Sequence, residues 1–359
     1  MTGASEVESA RAALEMINPA PYNAEAPPEA LVGNITPTEL HYVRSNFALP
    51  THDGTLEIGG AVDNPTTLTL DDLRALPAHE QAVTLECAGN GRLDMKPLPT
   101  GEPWGDYAVS TARWTGALLS DVLALAQPAA LGVDVRFEGA DHGPYHLQAI
   151  LPETQQDDLT FVRALPLVEA ADPSSAILVA YEMNGEPLTP DHGAPFRIVA
   201  PHWYAVASVK WLSRIDVLTE PYTGEFQTGH YIYQWPDRPH EPVTLMRVRA
   251  RITDPAPGTV LPLGPHTVRG KAWSGTGPIT QVDISLTGEG DWHPARLDPP
   301  SGPYQWQDWS FVWDSNDIGR HTLRARATDA AGNVQPDVPP WNRLGYGNNA
   351  IEVLFVDRH

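Results

Sequence analysis

Residues 83–92, Val83-Thr84-Leu85-Glu86-Cys87-Ala88-Gly89-Asn90-Gly91-Arg92, bring together the chain's single cysteine, a glycine-broken turn and an arginine five residues beyond the thiol. The alternation of Val83, Leu85 and Cys87 puts the sulfur on the apolar face of a strand, and Gly89 and Gly91 let the backbone reverse directly after it. Two readings follow. The residue is a buried cysteine acting as a small apolar group, or it is a thiolate that meets a ligand at the strand end. A thiolate needs positive charge nearby and suits a soft metal, and Arg92 supplies such a charge. With one cysteine there is no intrachain disulfide, no CxxC redox pair and no Cys-rich zinc site.

The run Cys87-Ala88-Gly89-Asn90-Gly91-Arg92, followed by Ser110-Thr111-Ala112-Arg113-Trp114-Thr115-Gly116, closely resembles the molybdenum-cofactor domain of the sulfite oxidase family. Upstream, Tyr42-Val43-Arg44-Ser45-Asn46-Phe47-Ala48-Leu49-Pro50 resembles the family's Phe-Val-Arg-Asn-His-x-x-x-Pro segment, with Asn46 where a histidine is usual. Downstream, His192 to Arg197 and Ser208-Val209-Lys210-Trp211-Leu212 are similar to its His-Gly-x-Pro-x-Arg and Ser-Val-Lys-Trp-Leu segments. The resemblance implies that Cys87 binds molybdenum and that each chain carries one molybdopterin. It implies cofactor contacts from Tyr42, Val43, Arg44, Ser45, Asn46, Asp141, His192, Arg197, Ser208, Val209 and Lys210. A guanidinium fork, an ammonium and a hydroxyl suit the cofactor's dianionic phosphate. Arg44 and Arg92 would hold an oxyanion, and Tyr231 would stand beside the metal, with Tyr233 as the alternative.

The activity so implied is transfer of an oxygen atom to sulfite or a related sulfur oxyanion. Electrons would leave to a separate acceptor, a cytochrome being one candidate, because the chain shows no CxxCH haem motif and no haem-binding domain. Besides Asn46, three places depart from the family pattern. Gly91 stands where the first of two arginines is usual, Thr100 where a lysine is usual, and Ala350-Ile351-Glu352-Val353 where some members add a basic residue; Lys96 is close to Thr100 but out of register. Fewer positive charges weaken the hold on a small dianion. A bound sulfur intermediate or a sulfoxide is therefore an alternative substrate, and a non-catalytic, tryptophan-rich protein that binds a sugar or peptide is an alternative of another class.

Several elements must position these residues. Leu56–Gly60 reads as a strand, and Thr69–Leu76 as a short helix capped by Thr69 or Asp71. A helix from about Gly116 to Ala126, capped by Thr115, would face Ala117, Leu118, Val122 and Leu125 inward. Val133–Leu151 reads as strand, turn, strand with Phe137-Glu138-Gly139-Ala140-Asp141 at the turn, and Ile177–Pro187 as a buried strand closed by Asn184-Gly185. Phe196, Ile198 and Ala200 share one face of the next strand and Arg197 takes the other. After a linker at Gln234–Pro239 come evenly spaced strands near Leu245–Ile252, Thr267–Trp273, Gln281–Leu286, Trp309–Trp313 and His321–Thr328, the pattern of a β-sandwich. The expected fold class is α+β: an amino-terminal arm over 1–30 with a helix near Glu6–Met16, a mixed-sheet molybdopterin domain over 31–235, and over 241–359 a sandwich that resembles the family's immunoglobulin-like dimerisation domain.

Composition bounds the partners. A length of 359 residues suits two domains, and the formal net charge of -22 argues against nucleic acid or an acidic membrane surface, which need clustered lysine and arginine. No apolar run approaches the length of a membrane span, and no basic region followed by an apolar segment opens the chain. The expectation is a soluble homodimer in the cytoplasm, or in the periplasm if an export signal has been removed.

Overall fold

The computed structural model describes residues 11–145 and 156–359. The cysteine strand, Ala78–Glu86, pairs antiparallel with Val109–Leu118, which pairs with Leu178–Met183; Arg197–Val199 and Glu186–Pro187 complete this antiparallel sheet. A second sheet runs in the order Thr66–Thr69, Thr55–Gly60, Leu212–Leu218, Asp134–Tyr145, Gln156–Pro166. Its strands Thr55–Gly60 and Leu212–Leu218 are parallel and the other pairs antiparallel, so the sheet is mixed. Helices are short and few, and the class is α+β.

Two helices bracket the first sheet. Leu70–Ala75 starts at Thr69, whose hydroxyl accepts from the Asp72 N–H while the Asp72 carboxylate accepts from the Thr69 N–H. The second helix is shorter than the sequence suggests. Residues 116–118 continue a strand, because Gly116 lies where a Cβ would come 2.3 Å from the Val179 carbonyl, an approach that only glycine permits. The helix is Leu119–Ala126, with Leu119, Val122, Leu123 and Ala126 buried and Leu125 exposed.

Two further expectations change. The stretch Phe137–Asp141 is no turn; the strand Asp134–Tyr145 runs through it, with a register irregularity between Glu138 and His142, and the expected return over residues 146–155 lies outside the described residues. An irregular ladder frees a strand residue to turn toward a site, which matters for Asp141. The expected arm is not detached either. Glu15–Pro19 and Tyr22–Glu25 form a hairpin where a helix near Glu6–Met16 was expected, residues 6–10 lying outside the described residues. Ala24 exchanges both backbone hydrogen bonds with Val43, at 3.0 and 2.9 Å, and Asn23, Ala26, Ala30 and Leu31 are buried. Small alanines between prolines have no helical or strand period, so their fit against the core is not visible in the sequence.

Beyond residue 241 two antiparallel-rich sheets face each other over their own core, which includes Val268, Val282, Ile284, Trp309, Leu323 and Val356. The segment expected as a linker is a tight return joining Ile232–Tyr233 to Glu241–Pro242. The two halves are not independent. Val243, Met246, Trp273, Trp306, Leu344 and Tyr346 pack into the first core. Between the halves, buried Arg249 donates to Glu86 at 3.1 Å and to Asp106 at 2.5 Å, and Arg251 pairs with Asp106 at 2.7 Å and Glu352 at 2.9 Å. Removing one member of a buried ion pair leaves the other desolvated and uncompensated, at a cost of about 3 to 5 kcal/mol. Arg249→Ala is therefore expected to lower unfolding stability by that order in urea titrations, and a change below about 1 kcal/mol would show that the cluster does not bind the halves together.

Candidate active site

Cys87 lies at the foot of a cleft of about 660 Å³, including its open mouth. Its N–H donates to the Ala108 carbonyl and its carbonyl accepts from Asn90, both at 2.9 Å, so the last strand residue and the turn are fixed together. Burial pushes the thiol up in pKa, against the pull of Arg44, the Gly89 N–H and Arg92. A buried thiol of this kind gives up its proton when a metal cation replaces it. Gly91 adopts a φ of +78°, and a Cβ there would lie 2.9 Å from Asn348 Nδ2. The departure from arginine at this position thus has a steric cause.

One wall comes from the segment after the turn Thr38–Leu40. Tyr42, Val43, Arg44, Ser45 and Asn46 all line the cleft. Arg44 donates to Asn23 Oδ1 at 3.2 Å, to Asn46 Oδ1 at 2.5 Å and to the Ser45 carbonyl, while the Ser45 N–H donates to Asn23 Oδ1 at 2.7 Å. Asn23, from the supposed arm, therefore braces the arginine that faces the cysteine. Tyr231 lines the cleft too and Tyr233 does not; the latter stacks on Trp235 beneath Arg247.

A second stretch of wall carries Asp141, His192, Arg197, Ser208 and Lys210. Arg197 donates to the carbonyls of Ile198, His192 and Ser208 at 3.3, 3.2 and 2.9 Å and lies over the Trp114 ring. Lys210 Nζ donates to Ser45 Oγ at 3.0 Å and to the Asp191 carbonyl at 2.8 Å. Burial, chiefly, lowers Arg197 to about 10 and Lys210 to about 7, and raises Asp141 to about 7. Among the described residues neither Arg197 nor Lys210 has a carboxylate within 4.0 Å, although acidic residues number 45 in the chain. Asp141 Oδ1 and His41 Nε2 are buried without a hydrogen-bond partner. A buried guanidinium and a half-buried ammonium with no carboxylate within 4.0 Å among the described residues, beside two unsatisfied polar atoms, fit an absent anionic and hydrogen-bonding ligand. Among the described residues no group of three or more His, Cys, Asp and Glu side chains could hold a metal alone, so a metal on Cys87 would need its other ligands from a cofactor.

Two expected residues sit elsewhere. Val209 is fully buried in the core and contributes only its carbonyl, which accepts from Ile198 at 2.8 Å. Arg92 does not line the cleft; its Nε donates to the Leu344 carbonyl at 3.0 Å and its Nη1 to the Glu102 carbonyl at 2.6 Å, with the Tyr346 ring 5.2 Å away. The loop carbonyls capture it because the segment around Leu344 returns over the cysteine turn. Thr100 does not line the cleft, and Lys96 donates to the Leu93 carbonyl at the surface. Sequence reasoning missed Asn23, His41, Asp191 and Tyr346. Only Asp191 had a signal, being next to His192; it is held by Arg11 at 2.8 and 2.6 Å.

A family model described as the oxidoreductase molybdopterin binding domain matches residues 46–226, and one described as the Mo-co oxidoreductase dimerisation domain matches 240–354. Chicken (Gallus gallus) sulfite oxidase is 35% identical, the match covering 90% of this chain and 74% of that protein. The chain belongs to the sulfite oxidase family. Human (Homo sapiens) mitochondrial sulfite oxidase is 36% identical over 96% of the chain, which spans 66% of that relative's length. A nitrate reductase of Phaseolus vulgaris is 34% identical, covering 92% of this chain and 40% of its own. Among solved structures, the sulfane dehydrogenase SoxCD from Paracoccus pantotrophus shares the fold with a TM-score of 0.80 and 28% identity, covering 95% of this chain and 85% of that one. A sulfite oxidase family member is a molybdopterin oxidoreductase, and Arg197, Lys210, Asp141 and His41 accord with a site for that cofactor.

The histidines on this wall give the family site a pH dependence. Burial first, then Lys210 and Arg197, push His192 down to about 3. The unfolded chain takes up this proton below about pH 6.5, so the stability that neutral His192 contributes is complete above that value and is lost as pH falls toward 3. By pH 5 the loss is about 2 kcal/mol. Urea unfolding at pH 7.5 and 5 should show His192→Gln reducing the difference by that amount, and an undiminished difference would mean that His192 is not held neutral.

Proposed function

We propose that the protein oxidises sulfite or a related sulfur oxyanion at a molybdenum centre held by Cys87 and passes the electrons to a separate acceptor, with a cytochrome as the first to test. The observation that carries this reading is the only thiol of the chain in a cleft that Arg44, Tyr231, Arg197 and Lys210 also line. Bound molybdopterin would supply the oxygen transfer and the two-electron redox change. Arg197, Lys210 and Ser208 would hold its phosphate, while Asp141, His192 and the 42–46 segment would hydrogen-bond its rings. Arg44 would orient the substrate oxyanion, and its fixed guanidinium acts more strongly in the water-poor cleft than at the surface. Tyr231 would donate its phenolic hydrogen bond to the same substrate.

A second reading, a bound sulfur group as substrate, is favoured by one observation: Arg44 is the only arginine of the expected substrate pair that reaches the cleft. The structural likeness to a sulfane dehydrogenase supports it as well. The sandwich beyond residue 241 would be immunoglobulin-like and would pair two chains, as the match to a dimerisation domain supports. Light scattering should then give twice the 39.1 kDa chain mass, and a monomer across a wide concentration range would refute pairing.

Steady-state oxidation of sulfite with an artificial acceptor tests the reaction itself. Cys87→Ser, which replaces a soft sulfur with a hard oxygen, should abolish turnover in a folded protein. Arg44→Gln should raise KM about tenfold or more, because a hydrogen bond to a charged group is lost. Full turnover in the serine variant would sink the assignment, and molybdenum-loaded wild type inactive on sulfite but active on a sulfur-carrying peptide would select the second reading.

A further inference from the structure

The carboxyl-terminal half reaches the catalytic cleft through a loop that follows Trp341. In this loop the Gly347 N–H donates to the Ala88 carbonyl at 2.7 Å, and Asn348 Nδ2 donates to the Gly91 carbonyl at 2.6 Å. Between these anchors and Leu344, which accepts from Arg92, stands Tyr346, 8% exposed. Its ring stacks on that of Tyr231, with centroids 5.1 Å apart and planes 18° apart, and the Arg92 guanidinium lies 5.2 Å from its centroid. Asn342 clamps the loop by accepting from the Tyr346 N–H at 3.1 Å and donating to the Tyr346 carbonyl at 2.8 Å.

Tyr231 needs such a support. Its φ is +54°, a left-handed conformation that a bulky residue rarely adopts and that persists only where surrounding contacts enforce it. The Tyr231 carbonyl accepts from Val243 at 2.8 Å, which fixes the chain after the residue. Among the described residues its ring meets two others, Phe226, tilted at 6.4 Å, and Tyr346, stacked. Neither contact directs its hydroxyl by a hydrogen bond, so the aim of the phenol into the cleft depends on the stack.

We propose that Tyr346 is a positioning residue, a plate from the carboxyl-terminal half that keeps Tyr231 aimed at the substrate. The inference rests on the proposed oxidation at Cys87 for its kinetic consequence, but the placement of Tyr231 does not depend on what the substrate is. It makes the active site a joint product of the two halves of the chain, with the family's second substrate arginine converted into support for an aromatic pair.

The test compares Tyr346→Ala with Tyr346→Phe in the molybdenum-loaded enzyme, alone and combined with Tyr231→Phe. Tyr346→Ala should lower kcat on sulfite about tenfold, the order expected for one misaimed transition-state hydrogen bond. Tyr346→Phe, which keeps the plate, should restore most of that rate. In the Tyr231→Phe background the alanine change should cost less than about twofold, because the hydroxyl it aims is already absent. Fluorine NMR of protein carrying 3-fluorotyrosine gives a readout without substrate, the Tyr231 signal being identified by its loss in Tyr231→Phe. That signal should be single in wild type and Tyr346→Phe and split or broadened in Tyr346→Ala. A single sharp Tyr231 signal in Tyr346→Ala, or equal kinetic losses in both backgrounds, would overturn the proposal. If the wild type fails to oxidise sulfite while the signal behaves as expected, the reaction assigned to the site is wrong and the role of Tyr346 stands.

Discussion

Glu86 is the group on which the catalytic arrangement depends, because it is adjacent to Cys87 and is fully buried with a carboxylate to satisfy. It accepts from Arg249 at 3.1 Å, from Trp273 Nε1 at 2.9 Å and from Asn90 Nδ2 at 2.9 Å. Burial raises its pKa, and the arginine with the two neutral donors works against that rise. A carboxylate removed from water tolerates little movement of its partners, since losing any one leaves it under-solvated. Arg249 and Trp273 belong to the second half of the chain. The strand that presents the sulfur is thus tied to both halves one residue before the sulfur itself.

Electrostatics in the cleft run against the rest of the molecule. The chain carries a net charge of -22, yet the cleft cations Arg197 and Lys210 hydrogen-bond to carbonyls and a hydroxyl, and among the described residues neither has a carboxylate within 4.0 Å. A carboxylate placed against them would neutralise the charge that an anionic cofactor group needs. Carbonyls orient the two side chains and leave the net charge in place, so the site is preorganised for an anion. Arg44, on the segment beside them, is oriented by amide oxygens from Asn23 and Asn46.

Sequence reasoning located the chemistry better than it located the supports. The short helix after Thr69, the hairpin turn at Asn184-Gly185 and the alternation through Cys87 were legible because each follows a local rule of capping, turn type or period. The helix at 116–126 was misplaced because the demand on Gly116 comes from Val179, a residue far along the chain. The turn at Phe137–Asp141 was misread because a glycine in a bulged strand has the same local appearance as one in a loop. Asn23 and Ala24 were assigned to an arm because a backbone bridge to Val43 leaves no trace in composition.

By itself the sequence determined that one thiol stands at a strand end before a glycine turn, that cationic and hydroxyl residues recur in ordered segments, and that no second cysteine exists to compete for a metal. Such statements depend on residue identity and spacing along the chain. The tertiary structure alone decided that Arg44 faces the sulfur while Arg92 turns away, and that Tyr231 rather than Tyr233 enters the cleft. Those outcomes depend on which distant carbonyls and rings lie within a few ångströms: Leu344 and Glu102 for Arg92, Tyr346 for Tyr231. Hydrogen bonds and stacks act over such short distances that only the folded chain, which brings residues some 250 positions apart into contact, can select among side chains of equal chemical promise.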